Sequence, residues 1–78
     1  MNKKLLEAYL ICLELAKENA FKCIIWIHSY DAHFNVTVKK DDEEQFEVED
    51  TFRFAQFDKD EDIDNKLEKL RTHINESI

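Results

Sequence analysis

The sequence predicts an α+β protein in the order α-β-β-β-α, with a three-stranded antiparallel sheet flanked by N- and C-terminal helices. Apolar residues recur at three- and four-residue spacing in the first and last segments, whereas the middle of the chain alternates with a period of two. Seventy-eight residues are enough for a single domain covering 1–78. A four-stranded sheet is the alternative, for a reason given below.

The first helix is predicted over residues 3–19. One face, which we expect to cover the sheet, combines Leu6, Tyr9, Leu13, Ala16 and Ala20. Ile11 and Leu15 lie beyond that face, so the helix is apolar around most of its circumference. We therefore expect a homodimer, with Ile11 and Leu15 in its interface, because leaving both exposed would forgo roughly 1.5 to 3 kcal/mol each.

Three strands are predicted over residues 21–29, 33–39 and 46–54, from their β-branched and aromatic content and their alternation. In the third strand Asp50 falls on the apolar parity. That position predicts either a β-bulge or a tight turn at 49–50 that would create the fourth strand.

The first strand has two apolar faces. Phe21, Cys23, Ile25 and Ile27 alternate with a second set that includes Ile24 and Trp26. If both helices cover the same face of the sheet, Ile24, Trp26 and the nearby Tyr30 remain exposed. Trp and Tyr are favoured anchors in protein interfaces, so Trp26 and Tyr30 are candidate partner-binding residues.

The last helix is predicted over residues 60–78, from one apolar stripe of Ile63, Leu67, Leu70, Ile74 and Ile78. Asp58 or Asp60 is placed to cap it. Four acidic residues then fall near its first turn, where the helix dipole favours negative charge: Asp60, Glu61, Asp62 and Asp64.

Composition excludes several classes of function. The chain has no glycine and no proline, which excludes Gly-rich phosphate loops, dinucleotide fingerprints and proline-driven recognition. Cys12 and Cys23 lie in apolar runs and read as buried free thiols, typical of a reducing cytoplasm. No apolar run approaches the roughly 18 to 20 residues of a membrane span. We expect a cytoplasmic protein without a cofactor.

Charge is segregated along the chain. The formal net charge is −7, yet residues 41–64 alone contain twelve acidic residues against Arg53 and Lys59. This balance disfavours direct nucleic-acid binding, which needs a basic face. It favours a partner protein with a basic groove, bound by a phosphate-mimicking acidic ridge. The candidate contact residues are Asp41, Asp42, Glu43, Glu44, Glu47 and Glu49, with Asp60, Glu61 and Asp64 continuing the ridge.

An alternative function centres on one turn. His28, Asp31 and His33 flank it and could converge on zinc or iron, which imidazole and carboxylate ligands suit. That arrangement would make the protein a small metal-dependent protein or a minor enzyme. Apart from this turn, no spacing of nucleophile and base indicates catalysis, so we expect a protein that is not an enzyme.

No motif identifies a family. In composition, being short, acidic and free of Gly and Pro, the chain is similar to small phage and mobile-element proteins that bind and modulate a host factor. The resemblance implies a binding or inhibitory role. The sequence therefore predicts a small acidic regulatory module that acts by protein–protein contact.

Overall fold

The computed structural model describes residues 2–41 and 47–76 and confirms the predicted order of elements. The helices are α1 (Lys3–Glu18) and α2 (Asp60–Asn75), and the strands are β1 (Ile24–Ser29), β2 (His33–Asp41) and β3 (Glu47–Ala55). The strands form one antiparallel sheet in the order β1-β2-β3. Among the described residues there is no fourth strand.

β3 runs without a bulge through Asp50, so the expectation of a bulge or a tight turn there is wrong. Val36 pairs with Phe52 and Val38 pairs with Asp50 in one continuous register. Asp50 remains on the side of the strand that faces the helices because α2 provides it with a polar partner. Its Oδ2 lies 3.1 Å from Nε2 of His73. A carboxylate is thus accommodated at the rim of the core without interrupting the strand.

Asparagine side chains define both ends of α1. Asn2 Oδ1 accepts the N–H of Leu5 at 2.7 Å, satisfying one of the unpaired donors of the first turn. At the other end Asn19 Nδ2 donates to the carbonyl of Leu15 at 2.8 Å. The N–H of Cys23 then donates to the carbonyl of Asn19 at 3.2 Å. Asn19 is therefore the C-cap of α1, and its side chain and carbonyl both bond to the chain around the end of the helix.

The connection from β3 to α2 depends on Asp58. Its Oδ2 accepts the N–H of Ala55 at 3.0 Å and lies 2.7 Å from Nζ of Lys66. The N-cap position of α2 is Lys59, which makes no side-chain capping bond. The prediction that Asp58 or Asp60 caps the helix is therefore wrong, because the Asp58 carboxylate accepts its hydrogen bond within the preceding turn. Asp60 lies in the first helical turn, as predicted.

The two helices lie side by side on one face of the sheet and run parallel. Near their N-terminal ends Lys4 forms an ion pair with Asp64. Near their C-terminal ends Lys22 Nζ lies 3.4 Å from Asn75 Oδ1. α1 packs against β1 and α2 packs against β3. Neither described helix is long and apolar enough to cross a membrane.

The core lies between the helices and this face of the sheet. Phe34 of β2 is at its centre, stacked on Phe54 with ring centroids 4.9 Å apart and touched edge-on by Tyr9 at 5.2 Å. The buried apolar residues are Leu5, Ala8, Cys12, Cys23, Phe34, Val36, Val38, Phe54, Ile63, Leu67, Leu70 and Ile74. Every strand and both helices thus contribute to one cluster or flank it directly.

The predicted sheet-facing side of α1 is right for Tyr9, which packs against the core, and wrong for Leu6 and Leu13. Leu5, Ala8 and Cys12 are buried, whereas Leu6 and Leu13 are 48% and 43% exposed. The helix is rotated because small side chains at two of the buried positions let it approach the sheet and α2 closely.

The same rotation changes the environment of the two expected dimer residues. Ile11 and Leu15 pack against the core of the same chain, which partly buries them. The reason for placing them in a dimer interface, that the fold would leave them exposed, is therefore removed.

Burial makes Cys12 chemically inert in the folded protein. It is 0% exposed, and burial raises the pKa of its thiol to about 12. Because the thiolate is the reactive form, we expect neither Cys12 nor the buried Cys23 to react with a thiol reagent at pH 7 until the protein unfolds. Labelling followed by mass spectrometry, with and without denaturant, checks this. Rapid labelling of either folded thiol would contradict it.

Asp58→Asn should destabilise the fold in a pH-dependent way. The ammonium of Lys66 and the N–H of Ala55 hold the pKa of Asp58 below its ordinary value of 3.8. The carboxylate therefore stabilises the fold above that value, and the contribution is lost as the pH falls through the lowered pKa. At pH 7 the variant should lose about 1.5 to 3 kcal/mol of unfolding free energy in urea titrations.

Asp62→Asn is the matched control, since Asp62 lies in the first turn of α2. Its loss should be smaller, about 0.3 to 1 kcal/mol, because only the helix dipole is involved. Equal losses for the two variants, or a difference between Asp58→Asn and wild type that persists in strong acid, would refute the role given to Asp58.

Candidate protein-binding surfaces

The face of the sheet opposite the helices is not covered by any element among the described residues. β1 places two large side chains there, Ile24 at 52% and Trp26 at 45% exposed, and Tyr30 follows at 53%. We call Ile24, Trp26 and Tyr30 the tryptophan surface. Their exposure is what the sequence predicts when both helices share one face of the sheet.

Neighbouring strands hold Trp26 in a defined setting. Its cross-strand partner is Thr37, which in turn pairs with Thr51, and the two hydroxyl oxygens lie 3.1 Å apart. Thr37 is only 8% exposed although no helix covers this face. Lys39 Nζ lies 5.3 Å from the centre of the Trp26 ring, within the range of a cation–π contact. The indole thus contacts groups of its own sheet while about half of it stays exposed.

The next row of the open face is polar. His28 pairs with Asn35, and Asn35 pairs with Arg53. Oδ1 of Asn35 is buried and accepts no hydrogen bond from any residue that the structure describes. The face thus joins an apolar edge on β1 to polar and cationic groups toward β3, and aromatic residues and Arg are enriched in protein interfaces.

The turn predicted to bind a metal contains two stacked aromatic rings. The rings of Tyr30 and His33 are nearly parallel, with centroids 4.6 Å apart, and the N–H of Tyr30 donates to the carbonyl of His33 at 2.8 Å. Across residues 2–41 and 47–76, no group of three or more His, Cys, Asp or Glu side chains could hold a metal ion. His28, Asp31 and His33 are therefore not brought together as a ligand set.

An open depression of about 480 Å³ runs along α2. Its described lining residues are Asn65, Glu68, Lys69, Thr72, His73 and Glu76. They belong to α2 and its C-cap, so the described part of the depression is an open groove on the surface of that helix. Binding pockets for small molecules are mostly apolar and enclose their ligand, which this groove does not do.

The described members of the predicted acidic ridge lie in two groups along the chain. Asp42, Glu43 and Glu44 lie outside the described residues, Asp41 ends β2, and Glu47 and Glu49 belong to β3. The acidic first turn of α2, with Asp60 and Glu61, follows the other end of β3. At about 3.3 Å per residue, the nine residues of β3 hold these two groups of acids roughly 27 Å apart.

A second exposed apolar surface lies on α1. Leu6, Leu10 and Leu13 are 48%, 56% and 43% exposed, and we call them the leucine surface. Lys4 marks the side of α1 that faces α2, and Leu13 lies roughly 180° around the helix from it. Sequence reasoning assigned Leu6 and Leu13 to the core and missed this surface. Their three- and four-residue spacing was a valid signal of an apolar stripe, but not of what covers the stripe.

Comparison with models of known protein families gave no match, and neither curated proteins nor solved structures showed significant similarity to this chain.

Proposed function

We propose that this chain is a small regulatory module that acts by binding another protein, with the tryptophan surface as its contact site. The supporting observation is that Trp26, at 45% exposure, lies on a sheet face without a cover among the described residues, with Lys39 Nζ 5.3 Å from the centre of its ring. Such a contact restricts the ring before binding, so less side-chain entropy is lost when a partner covers it.

The chemistry of this surface selects the kind of partner. Large aromatic side chains dominate interface energetics when they fill a desolvated pocket, and Trp and Tyr are the residues most often found there. The partner is accordingly a protein with an apolar cleft that accepts the indole of Trp26. The acidic residues at the hairpin guide a basic groove of the same partner toward it, since charge complementarity raises association rates.

Trp26→Ala should abolish partner capture without unfolding the protein. The partner is isolated by affinity capture from the source cell with the wild-type chain, then purified and titrated against each variant. Because Trp26 is the only tryptophan of the chain, its fluorescence should also change on binding of a partner to this face. We expect at least a tenfold weaker Kd, since removing an interface anchor costs about 2 kcal/mol or more.

Phe57→Ala is the matched control. Phe57 is 84% exposed and lies between β3 and α2, outside the tryptophan surface. The control variant should bind like wild type. If no protein binds the wild-type chain specifically, or if Trp26→Ala binds the purified partner with unchanged affinity, the proposal fails.

Replacing Asp41, Asp42, Glu43 and Glu44 with Asn and Gln should slow association with the partner and leave dissociation nearly unchanged. The Debye length falls from about 30 Å at 0.01 M salt to about 10 Å at 0.1 M, so the wild-type association rate should fall steeply over this range. Stopped-flow mixing measures both rates. If neither salt nor the four substitutions changed the association rate, the contact would be assigned to the tryptophan surface alone.

A further inference from the structure

The two edges of the sheet differ in how their backbone groups are satisfied. At the β3 edge Lys66 Nζ donates to the carbonyl of Arg53 at 2.7 Å, and the N–H of Ala55 donates to Asp58 at 3.0 Å. These side chains occupy the C-terminal half of that edge, as natural sheets do to prevent further strand pairing.

The β1 edge has no such cover among the described residues. The N–H of Tyr30 donates to the carbonyl of His33 and closes the β1–β2 hairpin. Bonding alternates along an antiparallel pair, so every second residue of β1 turns its N–H and carbonyl away from β2: Ile25, Ile27 and Ser29. No bond from residues 2–41 or 47–76 to these outward groups accompanies the β1–β2 ladder.

The leucine surface lies along this same edge. α1 packs against β1 and α2 packs against β3, so the side of α1 turned away from α2 lies over the β1 edge. Leu6 and Leu13 are on that side, and Ile24 of the open face is on the other side of the strand. One flank of the molecule therefore combines unpaired strand backbone with exposed apolar side chains above and below it.

We propose that a second copy of this chain binds here, by antiparallel pairing of the two β1 strands and packing of the two leucine surfaces. The pairing is self-complementary about a two-fold axis, so the same flank serves both copies. The resulting six-stranded sheet has β3 at both ends, where Lys66 and Asp58 limit further growth.

Charge favours this flank over the rest of the surface for self-association. Two chains with a formal charge of −7 repel each other wherever their acidic groups meet. Twelve acidic residues lie within 41–64, a stretch that begins at the end of β2 and runs through β3 to the start of α2. Along α1 and β1 the charges are nearly balanced, with Lys3, Lys4, Lys17 and Lys22 against Glu7, Glu14 and Glu18.

Sedimentation velocity at micromolar concentration tests the inference with one variant and its control. Wild type should sediment as a dimer of twice 9.4 kDa. Leu13→Glu should weaken dimerisation at least tenfold, because a symmetric interface receives the charge twice. Phe57→Glu adds the same charge at an exposed aromatic residue off this flank and should remain dimeric. Circular dichroism verifies that each variant is folded.

Amide hydrogen exchange tests the strand pairing without any substitution. In the dimer the outward N–H groups of Ile25 and Ile27 should be protected, and dilution below the dimer Kd should remove the protection. The outward N–H of Thr51 on β3 is the internal reference and should exchange rapidly at both concentrations. A monomeric wild type, a Leu13→Glu variant that dimerises as wild type does, or unprotected amides at Ile25 and Ile27 in a dimer would overturn the inference. None of these outcomes depends on a partner binding to Trp26, so the two proposals fail or stand separately.

Discussion

Contact between the central strand and both helices is the interaction on which the rest of this structure depends. Phe34, Val36 and Val38 of β2 are each 0% exposed, and Phe34 contacts a neighbouring strand through Phe54 and α1 through Tyr9. A chain of 78 residues buries only roughly 60% of its unfolded surface, so there is material for one such cluster. Both helices are needed to cover it, and both therefore lie on the same face of the sheet.

The bare face follows directly from that use of the helices. Antiparallel sheets commonly have one face packed on the core and the other toward solvent, with polar residues on the solvent face. Here β2 obeys the rule with Asn35, Thr37 and Lys39, whereas β1 breaks it with Ile24 and Trp26. β1 therefore places two large apolar side chains on a face that is otherwise polar.

Local patterns were sufficient to predict the elements and their order, because strand alternation and helical spacing are properties of short segments. The shared parity of Ile25 and Ile27 was also accessible from the sequence, whereas the exposure of Trp26 was predicted only for the case in which both helices cover one face. The rotation of α1 about its own axis could not be predicted from the sequence. Its circumference is apolar almost throughout, so only the position of α2 decides that Ile11 is covered and Leu10 is not.

Two further errors have the same origin in contacts between distant segments. Asp50 looked incompatible with a continuous strand because its partner, His73, is supplied by α2. Asp58 looked like a helix cap because its bonds to Ala55 and Lys66 are formed only after the chain has turned. A carboxylate has several possible partners along the sequence, and the tertiary structure determines which of them it contacts.

The parallel course of the helices has an electrostatic consequence. Parallel helices bring two partially positive N-termini to the same end of the molecule, where aligned dipoles repel each other. α1 aggravates this, since its first turn contains Lys3 and Lys4 and no acidic residue. α2 opposes it with Asp60, Glu61 and Asp62 in its own first turn and with Asp64 paired to Lys4. Part of the negative charge that makes the chain so acidic thus acts inside the fold, as the counter-charge that permits two helices to point the same way.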